Sequence, residues 1–424
     1  MSRFRNVTSR LCALTASSAA SGSIKSQRLM LRAGLVRQTA SGLYALLPLG
    51  LRAMRKLERL VDDEMARIGG AKLAMASLIP KRLWSKSGRW AAYGDELWRV
   101  EDRKGSEFCL GPTHEEVIAD LASVVRSYRA LPLLAYQITR KFRDELRPRG
   151  GLLRAREFVM KDMYSFDISP EAAAITYERV NDAYEMIFSR LGVPFVKAKG
   201  DTGQIGGSLS HEYHVLASCG EDNVLTCDKC AVSVNEELMN DSVVPRGCKV
   251  PKQCEVKTMK GIEVGHAFYL GKKYSDVFQI IVNDSKGGQV TAEMGCYGIG
   301  ITRLLQACIE AFSPDENQIR WPEQIAPYRV CILPAEKDLH AEAEELYDAL
   351  VHPSTPYSDI DIILEDRDHL SLSARLSLAR LLGYPYLVIL GKQMRETGLL
   401  ELQAQAMEQT EYLSKEKLID KMLV

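Results

Sequence analysis

Apolar residues recur along this chain with two different periods, and the period changes from one region to the next. From Pro48, which suits a first helical turn, apolar residues fall at Leu49, Met54, Leu57, Val61, Met65 and Ile68. Steps of mostly three or four line one face of a helix, and Gly69-Gly70 ends it. Lys72 to Ile79 then reads as extended. A second helix is predicted over Pro170–Leu191, with Ser169 as cap and Glu171 in its first turn. Its apolar positions include Ile175, Val180, Ala183, Ile187 and Leu191. Between these helices the apolar steps shorten. Residues 138–166 read as a hairpin turning at Pro148, Gly150 and Gly151. Residues 291–311 pass from strand to helix through Gly295, Gly298 and Gly300. Past Tyr328, strands at Arg329–Leu333, Ile360–Leu364 and Tyr386–Leu390 alternate with helices at Asp338–Leu350 and Ser371–Leu382, and Gly383 caps the second helix. Strands joined by crossover helices mean an α/β sheet.

Composition narrows the partners. With 424 residues, 46% apolar and 26% charged, the chain has material for more than one domain. Its formal net charge is zero, so a polyanionic partner must be met by local basic patches. No apolar run approaches the roughly 20 residues of a membrane-spanning helix, which argues against a membrane partner. Ten cysteines in a chain this long do not make a disulfide framework. The N-terminus is the biased region. The first acidic residue is Glu58, and Arg3, Arg5, Arg10, Lys25, Arg28, Arg32 and Arg37 precede it. Residues 1–25 are also rich in Ser, Thr and Ala, the composition of a mitochondrial transit peptide, which implies the matrix. No apolar core follows the first arginines, so a secretory signal fits worse.

The candidate chemistry sits in the hairpin. On extended arms, residues two apart share a face. Arg143 and Glu145 can then point at one ligand from one arm, and Arg154, Arg156 and Phe158 from the other. Guanidinium groups that fork onto phosphate, beside an aromatic ring and a carboxylate, suit a nucleotide. Thr113 and Glu115, in G-P-T-H-E-E, are also two apart, and on an extended segment a hydroxyl and a carboxylate can hold an ammonium. Arg303 falls in the first turn of the helix after Gly300, suited to a terminal phosphate. Cys227-x-x-Cys230 precedes Cys248 and Cys254, but the second spacing is C-x5-C, so a structural zinc is not expected.

Residues 138–166, with R-x-x-x-F-x-x-x-D at Arg154, Phe158 and Asp162, resemble motif 2 of class II aminoacyl-tRNA synthetases. They look most like the prolyl-tRNA synthetases of the short mitochondrial kind. Residues 48–80 resemble motif 1, which builds the homodimer in that class, although Ala76 stands where the family usually has proline. Residues 291–311 resemble motif 3. The resemblance implies an α+β catalytic domain over 26–325, an antiparallel sheet flanked by helices. A smaller α/β anticodon-binding domain over 326–424 follows. It implies ATP with Mg2+, proline and tRNA(Pro) as substrates. Thr113 and Glu115 are then expected on the proline ammonium, His211 of the S-H-E segment beside the proline ring, and Arg143 on the carboxylate or α-phosphate. Glu145 is expected on the adenine amino group, Phe158 stacked on adenine, and Arg154 with Arg303 on the outer phosphates. Arg367 is a candidate for anticodon bases. About 125 residues separate motifs 2 and 3, too few for an editing domain, so little hydrolysis of mischarged alanyl-tRNA is expected. Gly150 replaces the family's bulky residue in the motif 2 loop. Two rivals are a synthetase for threonine, serine or histidine, and an inactive accessory subunit. The T-x-E and S-H-E segments argue against the first, and the three motif arginines against the second.

Overall fold

The computed structural model describes residues 5–14, 22–203, 205–230, 232–239, 255–351, 361–405 and 409–423. The chain folds as two compact units. One comprises Met1–Thr39, Ala45–Leu57 and Cys308–Val424; the other comprises Ala40–Tyr44 and Glu58–Ala307. The first predicted helix forms as α1 (Pro48–Arg67). The extended piece after it is regular only at its ends, in β1 (Ala71–Lys72) and β2 (Leu78–Pro80).

The unit around residues 58–307 is built on a nine-stranded, mostly antiparallel sheet. Its centre is β3 (Leu133–Phe142), β4 (Glu157–Asp167), β5 (Leu209–Leu216), β6 (Val256–Gly271) and β7 (Glu293–Gly300). Register fixes which side chains share a face. Tyr164, Cys296, Phe268 and Ser210 stand side by side on β4, β7, β6 and β5. So do Asp162, Gly298, His266 and Glu212. The row between them is Met163, Tyr297, Ala267 and His211, and it points the opposite way. α2 (Pro170–Leu191) covers that opposite face, with Tyr177, Tyr184 and Phe188 buried. Ser169 caps it, accepting from Ala172 N, and Gly192 ends it in the left-handed conformation. Ile175 departs from the predicted apolar side and is 65% exposed. Five residues before Val180, it points about 140° away from the buried stripe. The other face of the sheet buries Tyr164, Phe166, Phe268 and Cys296 against Trp84, Leu97 and Ile118.

The hairpin ladder between β3 and β4 stops at Phe142 and Glu157. Residues 143–156 therefore form a long loop, and Arg143, Glu145, Arg154 and Arg156 lie on no strand face. The strand-alternation argument fails for them and holds for Phe158. Gly150 and Gly151 take φ of 64° and 70°, a conformation that disfavours any bulky side chain. The sequence departure at Gly150 thus suits the turn that the loop makes here.

The other unit carries a five-stranded sheet. β8 (Val330–Pro334) lies between parallel neighbours β9 (Ile362–Leu364) and β10 (Tyr386–Leu390), and β9 is the edge. Ile360, included in the predicted strand, lies outside the described residues. The helices His340–Leu350 and Leu372–Leu382 form as expected, and Gly383 closes the second at φ 70°. Two antiparallel strands, Leu400–Ala404 and Gln409–Leu413, and a last helix, Lys415–Leu423, carried too weak a pattern to be foreseen. Residues 5–12, inside the stretch with presequence composition, are folded onto this sheet: Val7 bridges Leu364 in parallel and Thr8 is fully buried. No described helix is long and apolar enough to cross a membrane.

Candidate active site

Thr113 and Glu115 do not share an extended segment, because Glu115 opens a helix (Glu115–Ala122). Arg89 joins them. One guanidinium nitrogen donates to Glu115 Oε2 at 2.8 Å and to both oxygens of Glu116 at 3.1 Å. The other donates to Thr113 Oγ1 at 3.0 Å. Arg89 lies over Trp84 at 4.5 Å and Tyr93 at 5.3 Å, and all four polar side chains are buried. Burial pushes the Glu115 carboxyl up, but Arg89 and the Thr113 hydroxyl outweigh it and hold it below the ordinary range. For Glu116 burial wins and the shift is upward. With both carboxylates charged, one guanidinium leaves an anionic excess beside Thr113, which suits an ammonium. The Cys296 thiol donates to Glu115 Oε1 at 3.3 Å. Burial and Glu115 push that thiol far up, so it is no nucleophile.

Arg143 enters beside this pocket. Phe142 N–H donates to Gly111 O at 3.2 Å, which ties the start of the loop to the G-P-T segment. The Arg143 guanidinium lies 5.3 Å from the Phe158 ring. Its Nε is buried and has no hydrogen-bond partner among the described residues. Tyr93, whose hydroxyl burial pushes up, is within electrostatic reach of Arg143, Arg89 and Glu115 together. Asp162, the last residue of the R-x-x-x-F-x-x-x-D pattern, belongs to the floor. It is buried, paired with Lys141 at 2.6 Å, and accepts from Gln137 and Tyr164.

The loop ends in ion pairs. Arg154 Nε donates to Glu145 Oε2 at 2.7 Å, and its terminal nitrogen to Glu221 Oε2 at 3.0 Å. Arg149 Nε donates to Glu221 Oε1 at 2.5 Å. Burial raises the Glu145 carboxyl, but Arg154 more than offsets this and leaves it lowered. Arg303, in the first turn of the helix Ile301–Phe312, donates to Leu153 O and to Glu263 O, both at 2.8 Å. The Leu153 contact ties the guanidinium to the loop and the Glu263 contact ties it to β6.

The pleat corrects the histidine. His211 shares its row with Ala267 and Tyr297, on the face covered by α2. Its Nδ1 meets the Tyr177 hydroxyl at 2.8 Å, and burial lowers its pKa to about 4. It does not face Glu115. His266 occupies the row of Gly298 and Asp162, next to that of Phe268 and Cys296, on the pocket side. It stacks on Phe268 with centroids 3.8 Å apart, and its Nδ1 meets Glu263 at 3.2 Å. Its Nε2 is buried and has no partner among the described residues. The segment Gly206–Ser208 lies against β6, where Ser208 N donates to Tyr269 O at 3.1 Å. Gly207 has φ of 110°, and a Cβ there would meet Tyr269 O at 2.2 Å.

Arg89 and Glu221, which pair with expected site residues, and His266, on the pocket side of the sheet, were not expected in the site. Nothing in S-G-R-W marks Arg89, since its role comes from three acceptors that folding gathers. Counting alternate residues along β6 puts His266 with Phe268, but the partner strands are needed to say which face is the pocket. In the other unit, Arg367 follows β9 and donates to Glu365 Oε2 at 2.6 Å. Cys248 and Cys254 lie outside the described residues. Cys227 is buried and Cys230 half-buried, and among the described residues no group of His, Cys, Asp or Glu is arranged to hold a metal.

Comparison with known proteins identifies the family. Residues 98–312 match the tRNA synthetase class II core domain (G, H, P, S and T), and residues 329–424 match an anticodon binding domain. The chain is 46% identical over 404 residues to the probable mitochondrial proline–tRNA ligase of Homo sapiens, covering 93% of this chain and 84% of that one. It is 41% identical over 377 residues to the corresponding protein of Schizosaccharomyces pombe, covering 88% of each. It is 44% identical over 414 residues to the proline–tRNA ligase of Anaplasma marginale, covering 94% and 95%. The fold is similar to that of a Giardia lamblia prolyl-tRNA synthetase solved with prolyl-adenylate, with TM-score 0.76 at 20% identity, covering 93% of this chain and 75% of that one. With a class II core, an anticodon-binding domain and these relatives along almost its whole length, the chain belongs to the proline–tRNA ligases.

Proposed function

We propose that this proline–tRNA ligase works in the mitochondrial matrix, activating proline with ATP and charging tRNA(Pro). Mitochondrial relatives and the basic N-terminus support the location. The observation that carries the chemistry is the Arg89–Glu115–Thr113 constellation beside Arg143. In this reading Thr113 and Glu115 accept the two N–H groups of proline's secondary ammonium. The proline carboxylate is then directed toward Arg143, whose buried Nε is available to it or to the α-phosphate. Phe158, on β4, offers its ring to adenine, and Glu145 offers an oxygen to the adenine amino group. Arg154 and Arg303 take the outer phosphates.

The carboxylate attacks the α-phosphorus in line, one P–O bond forms, another breaks, and pyrophosphate leaves. The terminal ribose hydroxyl of tRNA then attacks the prolyl carbonyl and AMP leaves. ATP arrives as its magnesium salt, and the ion offsets phosphate charge. The protein contributes positioning and fixed positive charge. Arg154 is engaged by Glu145 and Glu221, so nucleotide entry exchanges carboxylate partners for phosphate. Residues 26–325 are assigned to this chemistry and residues 326–424 to the anticodon, with Arg367 reaching its bases. Motif 1, residues 48–80, forms a homodimer. A pocket alone discriminates modestly between proline and alanine, and with no editing insertion between β4 and β7 mischarged alanyl-tRNA is hydrolysed weakly or not at all in cis.

Amino-acid-dependent exchange of pyrophosphate into ATP tests the reading. Proline should give strong exchange, alanine a faint signal and other amino acids none, and Arg143→Ala should abolish it. Exchange with threonine, serine or histidine in place of proline would overturn the assignment of the pocket.

A further inference from the structure

The composition of residues 1–25 marks a segment to be discarded, yet residues 5–12 are built into the sheet of the anticodon-binding domain. β9 is the edge of that sheet, and its three residues Ile362, Ile363 and Leu364 are all buried. A bare apolar edge invites wrong pairing. Here Leu364 N donates to Asn6 O at 2.9 Å and Val7 forms a parallel bridge with Leu364. Val7 packs against the core formed by Val330, Leu346 and Leu364. Asn6 N–H donates to the Tyr347 hydroxyl at 3.1 Å, and Arg5 forks onto Asp348 at 2.7 and 3.0 Å. The Arg5 pair is exposed and adds little.

The loop after β9 is engaged more tightly. Thr8 is fully buried; its hydroxyl donates to Asp366 Oδ1 at 3.0 Å and accepts from Asp366 N at 3.2 Å. Ser9 N–H donates to the same oxygen at 2.7 Å, and the Ser9 hydroxyl binds Oδ2. The segment closes in one helical turn, Cys12 N to Thr8 O at 2.8 Å. Asp366 stands between Glu365 and Arg367, which are paired with each other. Both oxygens of the central carboxylate are therefore held by the N-terminal segment. A generic basic arm has no need of a buried threonine and a saturated carboxylate.

We propose that residues 5–12 are retained in the working enzyme as a clasp that covers the edge of β9 and positions the Glu365–Arg367 loop for tRNA. The tRNA half of this rests on the reading that Arg367 faces the anticodon; the clasp itself does not.

The full chain is imported into isolated mitochondria, recovered from the matrix, and its N-terminal peptide is mapped by mass spectrometry. A mature start at or before Arg5 is expected, and one beyond Cys12 overturns the clasp. In parallel, the full chain is compared with a deletion of residues 2–12 and, in case the deletion unfolds, with the double substitution Thr8→Val, Ser9→Ala. Both should raise the KM for tRNA about five- to tenfold, the scale of one or two lost polar contacts, with proline-dependent pyrophosphate exchange unchanged. A lowered KM would mean that the segment obstructs tRNA, and overturns the proposal. Arg367→Ala separates the two halves. If it and the clasp variants all leave the KM unchanged while the mature start is at or before Arg5, the loop reading fails and the clasp stands. If Arg367→Ala raises the KM and the clasp variants do not, the positioning role fails.

Discussion

The carboxylates at the two ends of the site are held in opposite ways. Glu115 and Glu116 are fully buried and share one buried guanidinium. Glu145 and Glu221 sit at the rim, paired with Arg154 and Arg149, whose side chains are 40% and 60% exposed. A charge pair out of water is costly to break, because the partner left behind has no solvent to turn to. A pair at the surface is worth little and can be traded. In the proposed reading, the amino-acid end is thus built before its ligand arrives, with Arg89 offsetting one of its two carboxylates and the excess left for the ammonium. The proposed nucleotide end is closed by its own ion pairs, which in that reading ATP phosphates replace. Selectivity belongs to the first kind of site and exchange of a large anion to the second.

The sharpest way to break this comparison is to remove Arg89. Arg89→Met leaves two buried carboxylates without their cation, a loss of about 3–5 kcal/mol. Pyrophosphate exchange should fall by more than about a thousandfold and the thermal midpoint should drop. Arg89→Lys should recover little, because an ammonium cannot present two nitrogens to three acceptors. An Arg89→Met protein as stable and active as wild type would show that the buried end is not held by charge.

Glu115→Gln keeps the shape and removes the charge. Proline KM should rise about a hundredfold, within the range for truncating one partner of a buried charge pair. ATP KM should stay within about twofold, since no rim contact is touched. A comparable rise in both constants would merge the two ends into one.

How much of this division could be read in the sequence follows from its physical origin. Pro48, Ser169 and Gly383 are local signals, and the helices they bound or cap form where the apolar period places them. Phe158 lies on a strand as expected, because one strand's alternation suffices to place it. Arg143, Glu145 and Arg154 were singled out by motif but given the wrong geometry, since the ladder ends one residue before Arg143. Arg89 and Glu221 could not be read, because each acquires meaning from partners about 25 and 70 residues away, gathered by folding. That His211 and His266 lie on opposite faces of the sheet is a question of parity. Only the partner strand says which row faces the pocket. The clasp was hidden because the composition that marks presequences says nothing of which residues find a sheet edge.

At the rim the effects are smaller. Glu145→Ala should raise ATP KM about tenfold and leave proline KM unchanged, the scale of one lost hydrogen bond to a nucleotide. Glu221→Gln should change ATP KM by no more than about fivefold, and the change should vanish as salt rises, as for an exposed pair. An effect of Glu221→Gln that persists at high salt would mean that the rim is as fixed as the pocket.

Protonation gives the gentlest test. His114 is buried beneath Glu115, with Nε2 on Ala76 O at 3.2 Å. Burial, with Lys141 beside it, lowers its pKa from 6.5 to about 4. Between those two values the unfolded chain binds a proton that the folded chain refuses. Stability is therefore full above pH 6.5 and declines as pH falls toward 4. His211, lowered to about 4 by burial, acts in the same direction. Asp222, raised to about 6 by burial, acts in the opposite one. The rim carboxylates Glu145 and Glu221 are lowered from 4.5, so their contribution is intact down to that pH and lost only below it. Thermal midpoints of wild type and His114→Gln measured from pH 7.5 down to 5 should then converge, within about a degree or two of the starting gap being lost. The variant starts lower because its contact with Ala76 is disturbed, but it falls less steeply, since it has no imidazole at that position to charge. Parallel curves would mean that His114 takes up its proton as readily in the folded protein as outside it, and that the pocket floor is wetter than its burial implies.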